Sequence, residues 1–132
     1  MESSEITVIV PTFNEEEGIS TLISSLLGQT LRPYEIIISD GESEDSTIEI
    51  VEKFITSGEP VRLIKREGKC RGAGRNSGIN ASSTELICLI DAGIYPEKDW
   101  IEKLSLTYHD NDSEVVYGMV KPVVNSSITR AL

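Results

Sequence analysis

Three apolar runs, each closed by a polar or turn residue, limit what this chain can fold into more than any other feature. The plainest is Leu86-Ile-Cys-Leu-Ile90, which runs without interruption and stops at Asp91-Ala-Gly93. A continuous apolar run of that length suits a strand buried on both faces, as in a parallel sheet covered by helices. Ile6 to Val10, closed by Pro11, reads as a first strand of the same kind. Tyr34 to Ser39 reads as a second, with three consecutive isoleucines, and it is closed by Asp40. β-Branched residues favour the pleated, half-buried surface of a strand.

Helical spacing fills the intervals. Ile19, Leu22, Ile23, Leu26 and Leu27 form one apolar stripe. Asn14 is placed to cap that helix with Glu17 three residues on, and Gly28 to end it. A second helix puts Ile48, Val51 and Ile55 on one face, with Asp45 or Ser46 as cap and Gly58 as stop. Val61 to Lys65 reads as a short strand nearer a sheet edge. The segment Arg66 to Gly78 is rich in glycine and basic residues and leads into a third helix ending near Ala81. Pro96 is expected to open a fourth helix at its first turn, with Trp100, Ile101, Leu104 and Tyr108 inward. Glu114 to Tyr117 begins a last strand that runs toward Val120. Strands alternating with helices define an α/β fold with a mainly parallel sheet, here in one domain of 132 residues.

In such sheets ligands sit outside the carboxyl ends of the strands. Three strands here end in polar sequence at that edge: Pro11-Thr12 with Asn14 and Glu15, then Asp40, then Asp91. Asp91 is a candidate for a divalent metal or a ribose, since Mg²⁺ and Mn²⁺ prefer oxygen ligands. Asp40 can accept hydrogen bonds from a ribose hydroxyl or a base N–H. Arg71 and Arg75 suit a base or a phosphate, because guanidinium forks match both. Gly72-Ala-Gly-Arg-Asn-Ser-Gly78 fails as a dinucleotide fingerprint, with its third glycine one residue late and no first strand before it. His109 reads as a surface residue.

Net charge is −10, which argues against binding a nucleic-acid backbone. An acidic protein still binds a nucleotide when a divalent cation accompanies the diphosphate. Two cysteines, Cys70 and Cys88, form no metal spacing and no disulfide framework, so a reducing, cytoplasmic setting is expected. The acidic start Met1-Glu-Ser-Ser-Glu5 is no signal peptide, and no apolar run nears the roughly 20 residues that span a bilayer.

In combination these motifs resemble the family 2 glycosyltransferases with the GT-A fold. Val8-Ile-Val-Pro-Thr-Phe-Asn-Glu15 is similar to their opening strand and loop. Tyr34-Glu-Ile-Ile-Ile-Ser-Asp40 with Gly-Glu-Ser43-Glu-Asp45-Ser-Thr47 resembles their second strand and its D-(D/G)-x-S-x-D-x-T loop. Arg75-Asn76-Ser-Gly78 looks like their A-R-N-x-G segment. Leu89-Ile-Asp91-Ala-Gly93, with Pro96 and Asp99-Trp100-Ile101, looks like their D-x-D strand end and following helix. Order and spacing match from about residue 6 to residue 122, leaving 123–132 as a tail.

The resemblance implies a Rossmann-like three-layer α/β/α domain that binds a nucleoside-diphosphate sugar of UDP or GDP type. It implies nucleotide contacts from Pro11, Thr12, Asn14, Glu15, Asp40 and Arg75, and Asp91 holding Mg²⁺ or Mn²⁺; Glu42, Arg71 and Asp91 complete the candidate nucleotide-sugar-binding set. The activity implied is inverting sugar transfer to an acceptor such as a polysaccharide or lipid, which places many relatives at membranes. Gly93 departs from the pattern by replacing the second D-x-D carboxylate, which weakens the metal site. Gly41 stands where a second acidic residue is often found. The family's catalytic base lies downstream of anything matched here, so the chain reads as the donor-binding half alone. A non-catalytic nucleotide-binding or interaction module is the alternative. Such a half would expose apolar surface and tend to form homo-oligomers, and any membrane attachment would come from a missing part or a partner.

Overall fold

The computed structural model describes residues 4–112, 114–116 and 118. Four parallel strands, β1 (Ile6–Thr12), β2 (Glu35–Asp40), β3 (Val61–Lys65) and β4 (Leu86–Leu89), form one sheet in the order β3-β2-β1-β4. Register is tight at the centre, with Val8 opposite Ile36 and Thr12 opposite Asp40. The helices are α1 (Ile19–Leu27), α2 (Thr47–Thr56), α3 (Arg71–Ala81) and α4 (Trp100–Asp110).

Strand alternation sorts the side chains by face. Ile6, Val8, Val10, Ile36, Ile38 and Val61 share one core with Ile19, Leu22, Ile23 and Leu26 of α1, Val51 of α2 and Ile101 of α4. α3 covers the other face, where Thr7, Ile9 and Pro11 point. Its contact is made by glycines: a Cβ on Gly78 would collide with the Ile9 side chain, and one on Gly74 would lie 2.9 Å from Pro11 Cβ. Two of the three glycines that mimic a dinucleotide fingerprint, Gly74 and Gly78, therefore serve helix-on-sheet packing. β1 and β2 are buried along their whole length, their polar Thr7, Thr12, Glu35, Ser39 and Asp40 included.

The structure corrects several expectations. β4 is not buried on both faces: it lies at the sheet edge among the described residues, and Leu89 is 46% exposed. α1 starts at Ile19 with Gly18 at its N-cap, so Asn14 does not cap it and makes no capping box with Glu17. On α2 the inward residues beside Val51 are Ile50 and Phe54, while Ile55 faces outward. Pro96 lies in the loop before α4, whose first residue is Trp100. Buried Gln29 organises that start instead. Its Oε1 accepts from Ile101 N at 3.0 Å and its Nε2 donates to the Glu97 carbonyl at 2.7 Å, satisfying a backbone donor that a helix start leaves unpaired. Of the expected last strand, Glu114–Val116 form no strand, and Tyr117, Met119 and Val120 lie outside the described residues. His109 is exposed, as expected.

Candidate functional site

Parallel strands bring the carboxyl ends of β1, β2 and β4 to one edge, and the loops after β1 and β2 are tied together there. Asn14 and Glu42 both hold left-handed backbone, at φ 50° and 65°, an uncommon state for residues other than glycine. Asn14 Oδ1 accepts from Glu44 N at 2.8 Å, and Asn14 N donates to Ser43 Oγ at 2.8 Å. Glu16 Oε2 accepts from Ser46 N at 3.0 Å, while Glu16 N donates to Asp45 Oδ2 at 3.2 Å. Glu15 N donates to Thr47 Oγ1 at 2.8 Å. The polar residues that sequence spacing suggests as caps of their own helices thus cross-brace two loops.

Asp40 is fully buried and anchors this brace. Its Oδ1 accepts from Thr12 Oγ1 at 2.8 Å and Ser43 Oγ at 2.6 Å, and its Oδ2 accepts from Ser43 N at 2.8 Å. Contact between Asp40 and a ligand would therefore require the Ser43 loop to shift.

A cavity of about 320 Å³ opens beside the brace, lined by Pro11, Thr12, Phe13, Glu15, Arg66, Lys69 and Arg71. Three cations thus gather on a chain of net charge −10. Arg66 is held in place by donation from Nε to Ser39 Oγ at 3.2 Å and from Nη1 to the Gly68 carbonyl. Lys69 Nζ lies 4.4 Å from the centre of the Phe13 ring, a cation–π contact. Burial raises the Glu15 carboxyl above its usual range, opposed by nearby Arg71 and reinforced by Asp45. Cys70, exposed at the N-cap of α3, has its thiol lowered by the Ala73 and Gly72 backbone N–H groups, while burial pushes the Cys88 thiol up to about 11.

Next to the cavity stands a second element. Gly74 packs against Pro11 and Arg66, both cavity walls, and the following residue, Arg75, reaches Asp91: Nη2 donates to Oδ1 at 2.7 Å. Asp91 follows β4 and begins a turn, with Ile94 N bonded to the Asp91 carbonyl at 3.2 Å. Gly93 in that turn has φ +93°, which strains any side chain, so the backbone itself disfavours a second carboxylate there. Among the described residues no group of three or more His, Cys, Asp or Glu side chains is placed to hold a metal.

Of the expected site residues, Pro11, Thr12, Glu15 and Arg71 line the cavity. Asn14 and Asp40 brace it from behind, and Glu42 Oε2 lies 3.4 Å from Gly68 N across the loops. Arg75 and Asp91 form the neighbouring ion pair. Sequence spacing alone does not single out Phe13, Arg66 and Lys69 as ligand contacts. The signal for the two cations was their place in one basic, glycine-rich segment, and Phe13 sits between two residues that were singled out.

A sequence profile described as glycosyl transferase family 2 matches residues 7–128. The chain belongs to glycosyl transferase family 2. Glycosyltransferase AglE of Haloferax volcanii is 31% identical over 119 residues, covering 88% of this chain and 39% of AglE. The chain thus spans about two-fifths of that relative. The structure of S. aureus TarS 1-349 in complex with UDP-GlcNAc superposes with a TM-score of 0.74 at 26% identity, over 93% of this chain and 37% of that one. Glucosyl-3-phosphoglycerate synthase from Mycobacterium tuberculosis, solved with Mn²⁺, UDP and glucosyl-3-phosphoglycerate, superposes with a TM-score of 0.60 at 27% identity, over 77% of this chain and 38% of that one. The α/β sheet is that of the GT-A glycosyltransferases, as the sequence motifs implied. No helix among the described residues is long and apolar enough to cross a membrane.

Proposed function

We propose that this chain forms the nucleotide-sugar-binding part of an inverting family 2 glycosyltransferase. The observation that carries the reading is the cationic cavity at the carboxyl edge of the sheet, adjoining the Arg75–Asp91 pair. A nucleoside fits a cavity with an aromatic wall and hydrogen-bonding loops, and its diphosphate needs the cations. Pro11, Thr12, Phe13 and Glu15 take the nucleoside, with Asn14, Asp40 and Glu42 shaping the loops around it. Arg66, Lys69 and Arg71 face the charged end, and Arg75 and Asp91 meet the diphosphate. The UDP-GlcNAc bound by TarS and the UDP bound by the Mycobacterium enzyme support a donor of this class.

The donor set fits a divalent metal only in part. Asp91 offers one carboxylate, so Mg²⁺ or Mn²⁺ would take its remaining ligands from water and the diphosphate. When bound, such an ion offsets charge on the departing nucleoside diphosphate. Inverting transfer also needs a base to accept the acceptor hydroxyl's proton. We assign no residue of this chain to that task, so the chain by itself should bind nucleotide and transfer sugar slowly or not at all.

Amide chemical-shift mapping with UDP and GDP tests the placement. Shifts are expected at Thr12, Phe13, Glu15 and Arg71, with none at Thr7, Glu35 and Ser83 on the opposite end of the sheet. Shifts confined to that opposite end, or none with either nucleotide, would remove the reading in favour of an interaction module.

A further inference from the structure

The Arg75–Asp91 pair stands where a nucleotide's diphosphate and a divalent ion would compete for opposite halves of one contact. Arg75 Nη2 occupies Asp91 Oδ1 at 2.7 Å, and both side chains are roughly one-third exposed, at 36% and 28%. No second carboxylate relieves the competition, because residue 93 is a glycine held at φ +93°. Arg75 itself stands on α3 one turn beyond Arg71, which lines the cavity, and follows Gly74, which packs on the cavity wall. Its helix thus runs past the cavity wall.

We infer that Arg75 is a latch on Asp91: in the free protein it competes with a divalent ion for the carboxylate, and a nucleoside diphosphate releases it by taking the guanidinium. Arg75 is a positioning residue here, and nucleotide strengthens metal binding. This rests on the nucleotide-sugar reading of the cavity. The coupling is reciprocal, since any ligand that favours the released state favours the other ligand too. Carboxylate and phosphate are both good bidentate partners for guanidinium, which makes the exchange close to balanced. A partly exposed ion pair biases such an equilibrium by up to about fivefold.

The test measures Mn²⁺ binding to the chain without nucleotide, by the loss of the free-ion electron paramagnetic resonance signal. Wild type should bind weakly. Arg75→Gln should bind about three- to fivefold more tightly, and Arg75→Lys, which keeps the charge, should stay near wild type. The gain of Arg75→Gln should vanish when Asp91→Asn is added. If Arg75→Gln does not fold, Arg75→Met carries the same expectation. Equal Mn²⁺ affinity in wild type and Arg75→Gln, or a gain that persists alongside Asp91→Asn, would overturn the latch. A parallel UDP titration separates the two claims. Intact UDP binding with no Mn²⁺ gain sinks the latch alone, whereas absent UDP binding in every variant sinks the nucleotide reading itself.

Discussion

Glu35 is a carboxylate buried at the amino end of a central strand, and its environment ties it to the acid stability of the fold. Burial by itself would raise its pKa. The Ser83 N–H at 2.8 Å, Arg62 Nη1 at 3.1 Å and Thr7 Oγ1 at 3.1 Å outweigh that, so the carboxyl sits below its usual 4.5. Arg62 Nη1 also donates to the Ala81 carbonyl at 2.8 Å, which ties the end of α3 to the sheet. A depressed folded pKa means stability that is fully present above the unfolded value and lost as pH falls through the folded one. The wild type should therefore lose stability progressively below about pH 4.5. Glu35→Gln should cost about 1–3 kcal/mol at neutral pH and flatten that acid limb. Denaturant melts from pH 7 to pH 3 check both, and a parallel pH dependence in the two proteins would contradict the assignment. Nothing in the sequence marked Glu35, because its partners lie 27, 28 and 48 residues away. Asn14 was legible as a polar residue with a task, but the task was misread. Spacing suggested the nearest helix, whereas its backbone at φ 50° turns the side chain to a loop 30 residues on.

At the scale of elements, α3 depends on the absence of side chains. Gly78→Ala gains about 1 kcal/mol of helix propensity but drives a methyl into Ile9, and overpacking of that kind costs about 1–3 kcal/mol. A net loss of stability is expected. Gly72→Ala on the same helix meets only Cys70 Sγ, at 3.7 Å, and should be neutral or stabilising. Thermal melts of the two variants decide the matter, and equal shifts in the same direction would refute the packing role. The helices and central strands were legible because their apolar periodicity survives in the structure: Ile19, Leu22, Ile23 and Leu26 are all buried. Their starts were less legible. Local rules assigned Pro96 to the start of α4, yet Gln29, far away in sequence, satisfies the backbone there.

For the whole molecule, fold class followed from the alternation of elements, and the site edge from where the apolar runs stop. The misjudged exposure of β4 has a physical cause: an apolar run records what a strand needs, not which neighbours are present. Leu89 and Ile79 are exposed apolar side chains, on β4 and on α3, at 46% and 42%. Concentration-dependent self-association of this 132-residue chain is expected by light scattering, weakened by Leu89→Ser, and a monomer at all concentrations would contradict it. Calorimetric titration of UDP into wild type and Arg71→Ala, in the presence of Mn²⁺, shows whether the cationic cavity binds a nucleoside diphosphate. Saturable binding that Arg71→Ala weakens by about tenfold or more is the predicted result. Binding of equal strength in both proteins, or none in either, would rule out a nucleotide site in that cavity.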